Sequence, residues 1–219
     1  MTNSIVLPSR DLAPGRTAET LFEQEAPLIL EIGIGGGEFL AGLASEGPEW
    51  TYLGCDLSRP SVYRAFRKVR RAVPERVRLY HGDGRFLVRD ALAAGSLQGI
   101  YVNFPDPWPK DEHADRRLLR DPFFREAAAR LTSGGWIELT TDHTEYFRRA
   151  AEGAEASGWF EVVERPPSER AMRTRYAEKW QEAERSIHCA RFEKRSDPPT
   201  VHPSIALIDM QHSVLEGTL

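Results

Sequence analysis

The chain has 219 residues, 41% hydrophobic and 28% charged, the balance of one well-buried globular domain rather than of two domains or a disordered chain. Its net charge of −4 gives no global attraction to nucleic acid, and no run approaches the roughly 20 apolar residues of a membrane helix. Cys55 and Cys189 cannot form a disulfide framework and sit in no metal-binding spacing, so both read as small buried hydrophobes.

The opening segment MTNSIVLPSRDL has no basic stretch leading into an apolar one, so a cytoplasmic protein is expected. Residues 1–20 read as a loosely attached N-terminal extension, 21–196 as the domain, and 197–219 as a C-terminal extension. From Leu28 onward, short apolar runs alternate with amphipathic segments, the pattern of an α/β domain. LILEI (28–32) runs into a glycine cluster, and a helix carrying Phe39, Leu40 and Leu43 follows. TYLGC (51–55) ends at Asp56, and SRPSVYRAFRKVRRA predicts a helix with Ser58 as its cap and Pro60 in its first turn. VRLYH (77–81) ends near Asp83, and RFLVRDALA supplies the next crossover. GIYVNF (99–104) stops at the rigid PDPWPK, with a helix over about 119–131 beyond it. WIELTT (136–141) ends at Asp142, and a helix over about 144–157 follows. WFEVVER (159–165) and SIHCARFE (186–193) predict two late strands joined by a polar, Arg-rich link without a full crossover helix, hence an antiparallel edge hairpin. The expected fold is a mostly parallel, seven-stranded, Rossmann-like α/β sheet with helices on both faces.

An acid stands at the carboxyl end of nearly every predicted strand. In open α/β sheets ligands bind outside those ends, so Asp56, Asp83, Asp106 and Asp142 are expected on one rim, with Glu31 facing the same region. The glycine turn Glu31-Ile-Gly-Ile-Gly-Gly-Gly37 lets a ligand approach the backbone closely, which suits a dinucleotide or S-adenosylmethionine. A pyrophosphate would meet Glu31 and Glu38 at the helix N-terminus, whereas a sulfonium and an ammonium group would be attracted to them. On that reading Gly33, Gly35 and Gly37 make room for the methionine moiety, Asp56 holds the ribose and Asp83 accepts from the adenine amino group. Asp83 in GDG also reads as a plain turn residue. Residues 59–78 carry eight basic side chains against Glu75 alone, a solvated helix face or an RNA-binding one. The histidines show no ligand spacing, and no metal is expected.

Asn103-Phe104-Pro105-Asp106-Pro107-Trp108-Pro109-Lys110 fixes three prolines around one acid, one ring and one base. Together with the EIGxGxG turn, this segment resembles the bacterial tRNA (guanine-N7)-methyltransferase family, marked by FPDPWxK. Arg116-Arg117 resembles the end of that family's basic stretch, Thr141-Asp142 its TD motif, and Thr174-Arg-Tyr176 with Lys179 its TxYExK motif, over about Leu28 to Arg195. Ala177 stands where the family has Glu, with Glu178 beside it, and DEHADRR is less basic than the family's stretch. The resemblance implies a class I methyltransferase that moves the methyl of S-adenosyl-L-methionine to N7 of guanosine 46 in the tRNA variable loop. It implies that Glu31, Asp56, Asp83 and Asp106 line the cofactor pocket, that Asp106 is the catalytic residue, and that Lys110, Arg116, Arg117, Asp142 and Thr174 meet the tRNA. Trp108 reads equally as a stacking wall or as packing. A methyltransferase on another nitrogen, a non-catalytic nucleotide- or RNA-binding module, and a dehydrogenase are the alternatives; monomer and homodimer both stay open.

Overall fold

The computed structural model describes residues 4–47 and 50–196, so the extension expected at 197–219 lies outside the described residues. The strands are β1 (Val6–Leu7), β2 (Leu28–Ile32), β3 (Thr51–Asp56), β4 (Val77–His81), β5 (Leu97–Asn103), β6 (Leu131–Thr141), β7 (Phe160–Glu164) and β8 (His188–Lys194). They form one sheet in the order β1-β4-β3-β2-β5-β6-β8-β7. β1 through β6 pair in parallel, and β8 runs antiparallel between β6 and β7. Seven of these strands match the sequence expectation. The eighth, β1, is two residues long and pairs Val6 with Leu79, and Leu79 N donates to Ile5 O at 2.7 Å.

The helices are α1 (Ala18–Phe22), α2 (Glu38–Glu46), α3 (Arg59–Ala72), α4 (Gly84–Phe86), α5 (Asp121–Arg130), α6 (Thr144–Ser157), α7 (Glu169–Met172) and α8 (Arg175–Glu182). α1, α5 and α6 pack on one face of the sheet, where Phe124, Phe160 and Phe192 meet edge to face. α2, α3 and α7 cover the other face through Leu40, Leu43, Val62, Ala65, Val69 and Ala171. Both faces of the central strands are therefore covered, and four of the five residues in each of β2 and β4 are buried, Glu31 and Arg78 among them. Within residues 4–20, Leu7, Leu12 and Ala18 depart from the expectation of loose attachment: they are buried against the first face, held by apolar contact that no periodic pattern announced.

Local chemistry sets the helix starts. Ser58 Oγ accepts from Ser61 N at 3.4 Å with Pro60 in the first turn of α3, and His143 Nδ1 accepts from Tyr146 N at 3.2 Å to open α6. The crossover after β4 falls on the segment expected, RFLVRDALA. α4 passes directly into a π turn over Leu87–Ala91, and Leu92 N closes onto Leu87 O at 2.9 Å. The polar link between the last two strands holds α7 and α8, each opened by a hydroxyl cap, Ser168 and Thr174. Successive strands run outward from β2 on one side and from β5 on the other. The chain thus reverses between β2 and β5, and the crevice beyond their carboxyl ends is where such sheets take ligands.

Candidate functional site

The crevice is built around the turn that leaves β2. Gly33, Gly35 and Gly37 all have positive φ, at 84°, 52° and 78°. Gly35 N donates to Asp56 Oδ2 at 2.9 Å, and Gly33 N donates to Cys55 O at 2.8 Å, tying the turn to the end of β3. Gly37 serves packing: a Cβ there would lie 2.6 Å from Ala65 Cβ, so its bareness lets α2 and α3 close together.

Two adjoining cavities open here, of about 490 and 450 Å³, each within the size range of small-molecule sites. Gly33, Gly35, Arg64, Asn103, Phe104 and Tyr176 line both. The first adds Glu31, Glu38, Thr174 and Lys179; the second adds Asp56, Asp83, Asp106, Trp108 and Arg116. Three of the rim acids therefore share one cavity and Glu31 lies in its neighbour.

Glu31 is 2% exposed, and its Oε2 has no hydrogen-bond partner. Burial pushes its carboxyl up to about 8, with the charges of Glu38 and Asp56 adding to the rise and the neighbouring Asn103 opposing it. Asn103 is itself buried with neither Oδ1 nor Nδ2 partnered. Buried polar atoms without partners are costly, so this pair marks a place prepared for a polar ligand. Glu38 differs. Burial raises its carboxyl, but Lys68 Nζ at 2.8 Å, with help from Arg175, holds it below its usual range. Its charge is thus spent on α3, and Glu31 remains the acid suited to a cation.

Asp56 Oδ1 accepts from Ser58 N at 2.7 Å. Asp83 caps α4 through Arg85 N at 2.9 Å and takes the Arg85 guanidinium at 2.8 Å; burial raises its carboxyl, and those Arg85 contacts bring it below its usual range. Both acids are fixed in direction by backbone donors.

The opposite wall is the Phe104–Lys110 loop. Phe104 and Trp108 adopt φ of 49° and 41°, rare for large side chains, and each precedes a proline, which narrows the backbone further. Buried Arg117 holds this shape from beneath, donating to Pro107 O at 3.1 Å and to Trp108 O at 2.7 Å. Asp106 projects between the two strained residues, exposed and into the second cavity. The Arg116 guanidinium lies 4.8 Å from the Trp108 ring centre.

Lys110 and Asp142 line neither cavity. Lys110 is exposed beside Glu112 at 3.5 Å, and Asp142 is engaged by Arg185 at 2.7 Å. Arg117 lies under the loop rather than on the surface. Thr174 reaches the first cavity as the cap of α8, where its Oγ1 accepts from Ala177 N at 3.3 Å. Ala177 is fully buried beneath α8, so a longer acid at that place would not reach solvent on this backbone. Sequence reasoning singled out neither Asn103 nor Tyr176 as site residues. The Tyr176 ring stacks on Phe104 at 6.5 Å and stands over the glycine turn, 54% exposed between the cavities. An aromatic in the first turn after a helix cap was the available signal.

Comparison with known proteins places this architecture. Residues 25–190 match the family model Methyltransf_4, described as "Putative methyltransferase". The crystal structure of the 16S rRNA methyltransferase KamB superposes with a TM-score of 0.59 at 14% identity, covering 80% of this chain and 91% of that one, a likeness of fold. The class is therefore that of S-adenosylmethionine-dependent methyltransferases with a class I fold. The tRNA (guanine-N(7)-)-methyltransferase of Thermus thermophilus is 47% identical over 215 residues, 98% of this chain and 69% of that protein. The proteins of the same description from Deinococcus radiodurans and Thermotoga maritima are 44% and 34% identical, over 80% and 91% of this chain. The chain belongs to the tRNA (guanine-N7)-methyltransferase family, and it spans 55% and 64% of the length of the last two relatives.

Proposed function

We propose that this protein is a cytoplasmic enzyme that transfers the methyl group of S-adenosyl-L-methionine to N7 of guanosine 46 in the variable loop of tRNA. The observation that carries the reading is the buried pair Glu31 and Asn103 at the glycine turn, with Glu31 Oε2 and both polar atoms of the Asn103 side chain left without partners, one cavity away from Asp56, Asp83 and Asp106. A dry carboxyl with one oxygen left unpartnered favours a ligand bearing an ammonium group and disfavours pyrophosphate. In this reading Glu31 and Asn103 hold the amino-acid end of the cofactor, Gly33 and Gly35 admit its chain, Asp56 takes the ribose hydroxyls and Asp83 the adenine amino group.

The cofactor supplies an electrophilic methyl on a positively charged sulfur. Guanine N7 offers a lone pair and has no proton to lose, so the protein needs no general base, and its work is to hold the base in line. Asp106, between two residues fixed in strained conformations, accepts from guanine N1–H and N2–H; adenine presents a lone pair at N1 and is repelled. Trp108, backed by the Arg116 guanidinium, is a stacking wall for the base. Lys110, Arg116, Thr174 and Asp142 meet the surrounding nucleotides, the last by exchanging its Arg185 partner. Arg117 contributes by fixing the loop. The direct test is mass-spectrometric mapping of nucleosides after incubating tRNA transcripts with the protein and methyl-labelled cofactor. Label at N7 of guanosine 46 is expected, and label on another atom or none in tRNA would overturn the reading.

A further inference from the structure

α3 is unlike the other long helices in how its charges are arranged. Between Arg59 and Ala72 it carries Arg59, Arg64, Arg67, Lys68, Arg70 and Arg71 and no acid. In α5 and α6, by contrast, Arg125 is matched with Asp121, and Arg148 and Arg149 with Glu145, on their own helices. On α3 only Lys68 has a carboxylate, Glu38. Arg59, Arg67, Arg70 and Arg71 have none among the described residues and are exposed. Arg67 faces Arg70 and Arg71 at helical spacings of three and four, an arrangement that repels itself and that a polyanion would relieve. An acidic protein keeps this strip at an internal cost.

The strip continues into an apolar hollow. Val6 of β1, Val62 and Phe66 of α3, and His81 line a cavity of about 480 Å³, with Arg59 and Tyr63 at its rim. Tyr63 is 62% exposed and sits four residues from both Arg59 and Arg67, on the same helical face. Leu57, 71% exposed, and Arg64 connect this face to the catalytic-side crevice, whose lining they share. An exposed ring flanked by unmatched guanidinium groups is the combination that takes an unstacked base and its phosphates.

We propose that α3 is a second tRNA-docking surface, in which phosphates lie along Arg67, Arg70 and Arg71 and one unstacked base rests against Tyr63 at the hollow, away from the methylated guanosine. The inference rests on tRNA being the substrate. The test is tRNA binding by fluorescence anisotropy at several salt concentrations, with steady-state methylation and calorimetric binding of S-adenosylhomocysteine alongside. Tyr63→Ala is expected to raise KM for tRNA about 5- to 150-fold. The combined Arg67→Ala, Arg70→Ala, Arg71→Ala variant is expected to lower the slope of log K against log salt by about one for each phosphate that is no longer neutralised. Binding of S-adenosylhomocysteine stays unchanged, and replacing the same three arginines by Lys retains most tRNA affinity. With an active wild type, unchanged tRNA affinity and salt slope in the variants would overturn the docking surface alone. An equal drop in affinity in the Lys and Ala series would also overturn it, as would equally tight binding of polyglutamate, which would assign the strip to an acidic protein. A wild type that neither binds nor methylates tRNA would overturn the function and this surface with it.

Discussion

Replacing Glu31 by Gln separates a proton-linked cofactor site from an inert buried carboxyl. Burial, with the nearby charges of Glu38 and Asp56, pushes the Glu31 carboxyl up to about 8. A ligand ammonium placed beside it would stabilise the carboxylate, so binding at lower pH must expel a proton. With a pKa of about 8, about one molecule in a hundred presents the carboxylate at pH 6 and about half do at pH 8. The amino group of the ligand loses its own proton near pH 8, which trims the gain in affinity between pH 6 and pH 8 to about twenty-fold. Calorimetric titration with S-adenosylhomocysteine across this range, in buffers of different ionisation enthalpy, reads both the affinity and the proton released. Glu31→Gln should lose the acid limb of the profile while keeping the alkaline one. The sign for stability is opposite. The folded-state pKa is raised above the ordinary 4.5, so the folded state holds its proton through the window from 4.5 to about 8 and becomes less stable as pH rises through it. The limiting slope from this group is about 1.4 kcal/mol per pH unit. Urea midpoints of the ligand-free protein should show that decline, flattened in Glu31→Gln. A wild-type affinity that is level from pH 6 to pH 8, or the same slope in both proteins, would refute the reasoning.

Asp106→Ala should abolish methyl transfer while the melting temperature stays near wild type, because the side chain is exposed; full activity in the variant removes Asp106 from the mechanism. Arg117→Ala should act from below the loop, leaving Pro107 and Trp108 carbonyls without their donor. It is expected to cost about 1–3 kcal/mol in chemical denaturation and to raise KM for tRNA more than it weakens cofactor binding; a change in neither would make the buried guanidinium dispensable.

The parts of this molecule that could be read in the sequence are those that a single physical signal specifies locally. LILEI and VRLYH are strands over the residues expected, because short runs rich in large apolar side chains end abruptly in turn residues, even though each also buries one charged side chain, Glu31 or Arg78. The helix over 144–157 is bounded at Gly158, with φ of 75°. What escaped was written in other ways. β1 is two residues, too short to show alternation, and exists because β4 offers it an open edge. α8 buries only Ala177, so seven polar or aromatic positions conceal its period and the segment reads as a link. β6 begins at Leu131, five residues ahead of expectation, because the two glycines inside it suppressed a strand reading.

The same distinction bears on the crevice. Acids at strand ends are countable in a sequence, but which of them stay available is decided by cations arriving from distant segments. Lys68 comes from thirty residues away to neutralise Glu38, and Arg185 from forty-three to engage Asp142. Glu31 lies within β2 with Gly54 and Tyr101 as its neighbours across the sheet, and its Oε2 has no hydrogen-bond partner among the described residues. The row of acids is therefore not equivalent: Glu38, Asp83 and Asp142 are paired with cations in the structure, while Glu31, the most buried of them, keeps one oxygen unpartnered. Tyr176 stands at the boundary of both cavities, over the glycine turn. Cofactor entry and the position of α8 are on this geometry coupled, since the cap Thr174 and the ring Tyr176 belong to the first turn of the same short helix.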